Sequence, residues 1–173
     1  RYDASHSAME IQEEWSSIEN GEEDEDALVS VCGRVTAKRV FGKKLAFLGL
    51  RDSSGDLQLY FEKGNPLEVD RYARAVEVID AGDIIGAIGS IKRTNKGELS
   101  VKVKEWQMLT KTIAPPPDKR KGLVDVTKRY RHREVDLIAN AQVRETLKKR
   151  ARMTSAVRNF LDERGFLEME TPT

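Results

Sequence analysis

Five runs of alternating apolar and polar residues, broken once by a stretch of helical spacing, constrain this chain most. The first run starts at Leu28, where Val29, Val31, Gly33 and Val35 alternate with Ser30, Cys32, Arg34 and Thr36. Side chains of a strand alternate between its two faces, so this reads as a half-buried strand. Phe41-Gly42-Lys43-Lys44 is a turn, and Leu45–Asp52 a second strand with Ala46, Leu48 and Leu50 on one face. Ser53-Ser54-Gly55-Asp56 has hairpin chemistry, and Leu57–Phe61 is a third strand with Leu57, Leu59 and Phe61 inward. Pro66–Ile79 then changes period. Leu67, Tyr72, Ala75, Val76 and Ile79 fall on one face of a helix, and Pro66 suits its first turn. Asp83–Lys92 and Glu98–Leu109 are the fourth and fifth strands, with Thr94-Asn95-Lys96-Gly97 as their turn and Leu99, Val101 and Val103 alternating. Three strands, a helix and two strands follow the order of the OB-fold, a five-stranded Greek-key barrel. A five-stranded sandwich is the competing reading, and the interposed helix argues against it. The fold class is therefore mainly β with α.

The segments around residues 27–113 read differently. Residues 1–26 form an acidic approach segment with a short helix over Met9–Ile18, ended by Asn20-Gly21, and with Glu22–Asp26 as an acidic loop. Residues 114–139 form a basic linker opened by Ala114-Pro115-Pro116-Pro117, a stiff extended spacer. In residues 140–173, Asn140 can cap a helix running from about Ala141 to Arg164, which Gly165 ends. Val143, Leu147, Ala151, Thr154, Val157 and Leu161 share one side of that helix, and Phe166–Pro172 alternates as a strand. This apolar stripe has no partner in the chain. With Arg at position 1 and no stop signal at the end, the 173 residues read as a piece of a longer chain.

Charge and composition narrow the function. The formal net charge of +1 hides a segregation. Residues 1–26 carry one basic and ten acidic side chains, residues 27–113 fifteen and ten, and residues 114–173 fourteen and nine. A basic body behind an acidic segment points to a polyanion partner, although a well-solvated surface has the same balance. No apolar run reaches the roughly 18 residues of a membrane span. The single Cys32 excludes an internal disulfide and fits a reducing compartment. Catalytic options are poor: His6 and His132 stand alone, and no Walker loop, Gly-x-Ser-x-Gly or paired-Cys motif is present. Catalytic and metal-ligating residues are accordingly expected to be none.

Binding options are better. Alternation turns Phe47 outward on the second strand, and Gln58 and Tyr60 outward on the third. Strands two and three form the nucleic-acid face of a small OB barrel. An outward Phe there is a stacking platform for an unpaired base. Gly49 leaves space for the base, and Gln58 can donate to and accept from a base edge. Arg39, in Lys38-Arg39, can reach a phosphate or the base's second face. The bland alternative is a Phe47 packed under the turn and a merely solvated Gln58.

Several blocks, in order, resemble the N-terminal part of class II lysyl-tRNA synthetases, nearest the bacterial and organellar type. Gly33-Arg34, Lys38-Arg39, Phe41-Gly42-Lys43, Leu45-Ala46-Phe47, Leu50-Arg51-Asp52 and Leu57-Gln58-Leu59-Tyr60 look like that family's anticodon-binding strands. Gly82–Gly86 and Thr94–Ser100 match its later strands, and blocks from Leu109 to Ile138, including Pro117-Asp118-Lys119, its linker. Tyr2, His6-Ser7-Ala8 and Ile11-Gln12 resemble its approach segment, and Gly165–Pro172 resembles class II motif 1. The resemblance implies that Phe47 stacks on the central anticodon base while Arg39 and Gln58 hold it. It implies that Glu98, which spacing alone makes a turn-flanking acid, contacts an anticodon base, and that Pro172 lies at a homodimer interface. It implies a parent lysine–tRNA ligase using ATP and Mg2+, with motifs 2 and 3 after residue 173, so that these residues bind tRNA(Lys) without catalysing. The compartment would be cytoplasmic, or chloroplast or mitochondrial for a plant or alga. Two departures are Glu134, where the family usually has an aromatic, and the proline-rich run at 115–117. Alternatives are a free-standing OB-fold module for single-stranded nucleic acid, or part of an aspartyl- or asparaginyl-tRNA synthetase. The motif 1 match disfavours the first, and Lys96–Leu99 with Pro117–Lys119 disfavours the second.

Overall fold

A computed structural model describes residues 2–64, 66–114, 116–117 and 122–172, and the backbone alone for 66–69. The expected core position Leu67, the proline Pro115 and the linker pair Asp118-Lys119 lie outside what is described. The chain divides into two compact units, Arg1–Pro115 and Pro116–Thr173.

In the first unit the five strands are β1 (Glu23–Phe41), β2 (Leu45–Arg51), β3 (Asp56–Glu62), β4 (Ile84–Arg93) and β5 (Leu99–Thr110). They close into a barrel in the order β1-β2-β3-β5-β4, with β4 returning to β1. All pairings are antiparallel except β3 with β5, where Gln58, Leu59 and Tyr60 lie beside Ser100, Val101 and Lys102. Inward residues follow the period of two: Ala46, Leu48 and Leu50 from β2 and Leu57, Leu59 and Phe61 from β3 are all buried. Helix α2 (Pro66–Val78) joins β3 to β4 and brings Tyr72 and Ala75 onto the core, with Ile79 just beyond its end. Gly89 sits where the β4–β5 register shifts, and a Cβ there would run into the Lys102 carbonyl.

Helix α1 (Ala8–Glu14) is shorter than its apolar spacing suggests. Its start is fixed by Ser7 and Glu10, whose side chains accept from each other's backbone N–H. The β2–β3 turn caps it as well: Ala8 N–H donates to Asp52 Oδ2 at 2.7 Å and Met9 N–H to Ser54 Oγ at 3.0 Å.

One expectation fails at the acidic run. Residues 23–26 are not a loop but the beginning of β1, with Glu23 beside Lys92 and Asp24 beside Ile91. The reason lies across the barrel. Glu23 accepts from Lys102 at 2.9 Å, Lys92 at 3.3 Å and Ser90 at 3.1 Å. Asp24 accepts from the Trp15 indole N–H at 3.1 Å. Glu23, which looks solvated in the sequence, is neutralised by basic side chains on β4 and β5.

Asp83, wholly buried between α2 and β4, ties three segments together. It accepts from the N–H groups of Thr112 and Asp80 and from the Lys111 ammonium at 2.7–2.9 Å. Lys38 and Lys111 donate to the last carbonyls of α2 at 2.6–2.7 Å, the end where the helix dipole favours cations.

The second unit holds α3 (Val126–Arg131), α4 (Arg133–Ala139) and α5 (Ala141–Asp162). Two short helices thus stand in the linker where no period was legible. They are organised by a charge and not by an apolar stripe. Asp136 is fully buried and accepts from Arg129, Arg133 and Asn140. Asn140 therefore does not cap α5 with its side chain, which donates to Asp136 and to the Leu123 carbonyl. Glu134 is exposed, 3.6 Å from His132, so no buried site is left short of an aromatic there. The apolar stripe of α5 is exposed from Leu147 onward. Residues 166–172 form no ladder, because no described strand of this unit lies beside them to pair with.

Burial alone would raise the Asp83 carboxyl, but its two backbone N–H donors and Lys111 outweigh burial and hold it below the ordinary range. The stability it supplies is present above the unfolded carboxylate value of about 3.9 and is lost as pH falls through the lower folded value. Asp83→Asn is expected to cost about 2–3 kcal/mol at neutral pH, read by urea unfolding. The gap to the wild type should close in acid. Equal midpoints at neutral pH would contradict this role.

Candidate nucleic-acid interface

Four residues expected at the site come together although they come from four different elements. Arg39 is on β1, Phe47 on β2, Gln58 on β3 and Glu98 just before β5, and all line one groove of about 520 Å3. Register explains it. Arg39 lies opposite Phe47 and Phe47 opposite Tyr60, while Gln58 lies beside Ser100 across the parallel pair. The alternation that buries Leu48 and Leu59 sets Phe47 and Gln58 on the outer face, and the register shift between Val35 and Ala37 brings Arg39 to the same face.

The platform is aromatic. Phe47 is half-buried and meets Tyr60 edge-to-face at 5.3 Å and Phe41 at 5.6 Å. Such pairs favour this tilted geometry over a face-to-face sandwich. Gln58 is aimed by its neighbours: its amide N–H donates to Ser100 Oγ at 2.9 Å, and Ser100 Oγ donates to the Glu98 carbonyl at 3.3 Å. This leaves the Gln58 carbonyl and its second N–H for a ligand. Arg39 is exposed, and among the described residues no partner engages its guanidinium. Lys38, next to it, points the other way and caps α2.

Glu98 stands on the β4–β5 hairpin, which is held in shape. Thr94 and Glu98 are paired by N–H to O contacts in both directions, and Gly97 takes the positive φ of +88° that the turn requires. Arg93 fastens the hairpin by donating to the carbonyls of Gly97, Ile18, Trp15 and Ser16. Arg39, Lys92 and Lys96 against Glu98 leave the groove lining basic.

Gly49 does not serve the site. It does not line the groove, and a Cβ there would meet Thr36 Oγ1 at 2.7 Å, so its small size serves strand packing. Tyr60, Phe41 and Lys92 also line the groove, and the sequence reading gave them no role in it. Tyr60 was legible as outward, since it shares the parity of Gln58. Phe41 read only as part of a turn. Lys92 was not legible, because its place depends on which strands pair. Lys92 Nζ lies 5.1 Å over the Tyr60 ring. Burial and Glu62 both push the Tyr60 hydroxyl up, so it stays protonated. Burial pulls the Glu23 carboxyl up, but Lys102, Ser90 and Lys92 outweigh it and the net shift is down.

A basic groove with an aromatic floor and an oriented amide offers the chemistry that unpaired bases and phosphates engage. Residues 29–109 match the family model described as OB-fold nucleic acid binding domain, and residues 125–173 match tRNA synthetases class II (D, K and N). Residues 29–109 are thus similar to OB-fold nucleic-acid-binding domains, and residues 125–173 to part of a class II tRNA synthetase domain. Among similar proteins are the lysine–tRNA ligase of Gloeobacter violaceus, 52% identical, and that of Trichormus variabilis, 48% identical. The chloroplastic/mitochondrial lysine–tRNA ligase of Arabidopsis thaliana is 49% identical. Each alignment covers 99% of this chain and 35%, 31% and 29% of the respective relative. The chain thus spans about a third of the length of these curated relatives. No described helix of this chain is long and apolar enough to cross a membrane.

Glu23→Gln leaves Lys92 and Lys102 without their shared carboxylate and is expected to destabilise the barrel by about 1–2 kcal/mol. Thermal melting checks this. An unchanged melting temperature would return residues 22–26 to the role of a loose acidic loop.

Proposed function

We propose that this chain reads the anticodon of a lysine tRNA as part of a lysine–tRNA ligase. The observation that carries the reading is the convergence of Arg39, Phe47, Gln58 and Glu98 on one groove. Phe47 stacks on the central base of the anticodon. Gln58, its amide fixed by Ser100, hydrogen-bonds that base's edge. Arg39 closes over the base or its phosphate. Glu98 contacts a neighbouring anticodon base from the hairpin. The names of the relatives, all lysine–tRNA ligases, support the amino acid, and the class II match over residues 125–173 speaks against a free-standing binding module.

The parent protein, on this reading, activates lysine with ATP and Mg2+ and transfers it to tRNA(Lys). Among the described residues no group of three or more His, Cys, Asp or Glu side chains is arranged to hold a metal ion. The exposed apolar face of α5, with Val157 and Leu161, and the following Pro172 form part of a homodimer interface in the parent. Such a protein works where tRNA is charged, in the cytoplasm or, as the name of the Arabidopsis relative suggests, in a chloroplast or mitochondrion.

Phe47→Ala is expected to weaken binding of a lysine anticodon stem-loop by about 1–3 kcal/mol, the loss of one base stack. Fluorescence titration at fixed salt measures it. Unchanged affinity would overturn the stacking role.

A further inference from the structure

The groove holds an aromatic residue that is poorly placed to stack on a base yet well placed to act through one that does. Tyr60 meets Phe47 edge-to-face, with centroids 5.3 Å apart and planes 75° apart. Lys92 lies over the Tyr60 ring at 5.1 Å, so that face is taken. Lys92 is itself held: Glu23 accepts from it at 3.3 Å and from Lys102 at 2.9 Å. Lys102 is in turn the ladder neighbour of Tyr60 in the parallel pair. The ring is thus packed against Phe47 and covered by a tethered cation. On the far side, Phe41 contacts Phe47 at 5.6 Å and 83°, but it is more than half exposed at the very end of β1.

We propose that Tyr60 is a positioning residue for anticodon binding: braced by the Glu23–Lys92 pair, it holds the Phe47 ring at the tilt from which the ring can stack on a base. The inference rests on the anticodon reading of the groove, and it concerns a residue to which that reading gives no role. A free Phe side chain on a sheet surface samples more than one rotamer, and freezing one on binding weakens affinity. Tyr60 removes that freedom in advance. The contribution comes from the ring, not the hydroxyl, so phenylalanine can replace it. Lys92 acts here as a cover for the ring and not as a phosphate contact.

The test compares Tyr60→Leu, Tyr60→Phe and Lys92→Met in the full chain, with circular dichroism confirming that each is folded. The probe is a lysine anticodon stem-loop with 2-aminopurine at the central anticodon position, whose quenching reports stacking. Tyr60→Leu is expected to weaken binding about five-fold and to reduce the quenching at saturation, while Tyr60→Phe stays within about two-fold. Lys92→Met should weaken binding without changing the slope of log affinity against log salt. Without RNA, nuclear Overhauser contacts between the Phe47 and Phe41 rings should weaken in Tyr60→Leu and persist in Tyr60→Phe. Full quenching in Tyr60→Leu, or a Tyr60→Phe as weak as Tyr60→Leu, would overturn the proposal. A salt slope lower by about one in Lys92→Met would make that lysine a phosphate contact and overturn its bracing role. If the wild-type chain does not bind the stem-loop, the anticodon reading fails. The ring contacts of the RNA-free variants still decide whether Tyr60 positions Phe47.

Discussion

Three residue pairs between β3 and β5 close this barrel, and the groove exists because they do. Gln58, Leu59 and Tyr60 run parallel to Ser100, Val101 and Lys102. The middle pair is fully buried and belongs to the core. The flanking pairs serve the groove: one fixes the Gln58 amide on the buried Ser100, and the other places Tyr60 next to the lysine that Glu23 holds. Parallel neighbours need a long connection between them. Here that connection is α2, β4 and the hairpin that carries Glu98. Closing the barrel therefore brings residues some forty positions apart within reach of one ligand.

Electrostatics follows from the same closure. The start of β1 is held by Glu23, whose carboxylate is shared by Lys92 of β4 and Lys102 of β5. The basic side chains left over, Arg39 and Lys96 among them, line the groove. A net charge near zero is thus compatible with a locally basic binding face. In the second unit one buried carboxylate, Asp136, does for α3, α4 and the start of α5 what an apolar core does for the barrel.

What could be read from the sequence depended on how local its cause was. The strands, the helix between the third and fourth, and the outward set Phe47, Gln58 and Tyr60 follow from a period of two that each segment shows alone. The family resemblance supplied Glu98, which alternation could not separate from an ordinary turn acid. The misreadings share a non-local cause. Residues 23–26 look like a solvated loop until Lys92 and Lys102 are brought across from other strands. Asn140 looks like a cap until Asp136 and Leu123 claim its amide. Residues 126–139 show no apolar period because a charge organises them. Gly49 looked like room for a base, but Thr36 on the neighbouring strand fills the space.

Competition between a labelled lysine anticodon stem-loop and an unlabelled aspartate stem-loop, at one fixed salt concentration, tests anticodon reading most directly. Salt must be fixed because phosphate contacts make any affinity salt-dependent. A groove that reads bases through Phe47, Gln58 and Glu98 should prefer the lysine loop by about ten-fold or more, or 1.4 kcal/mol. Equal binding of the two loops would show a groove that holds any single strand, and would contradict the assignment of Gln58 and Glu98 as readers of the anticodon.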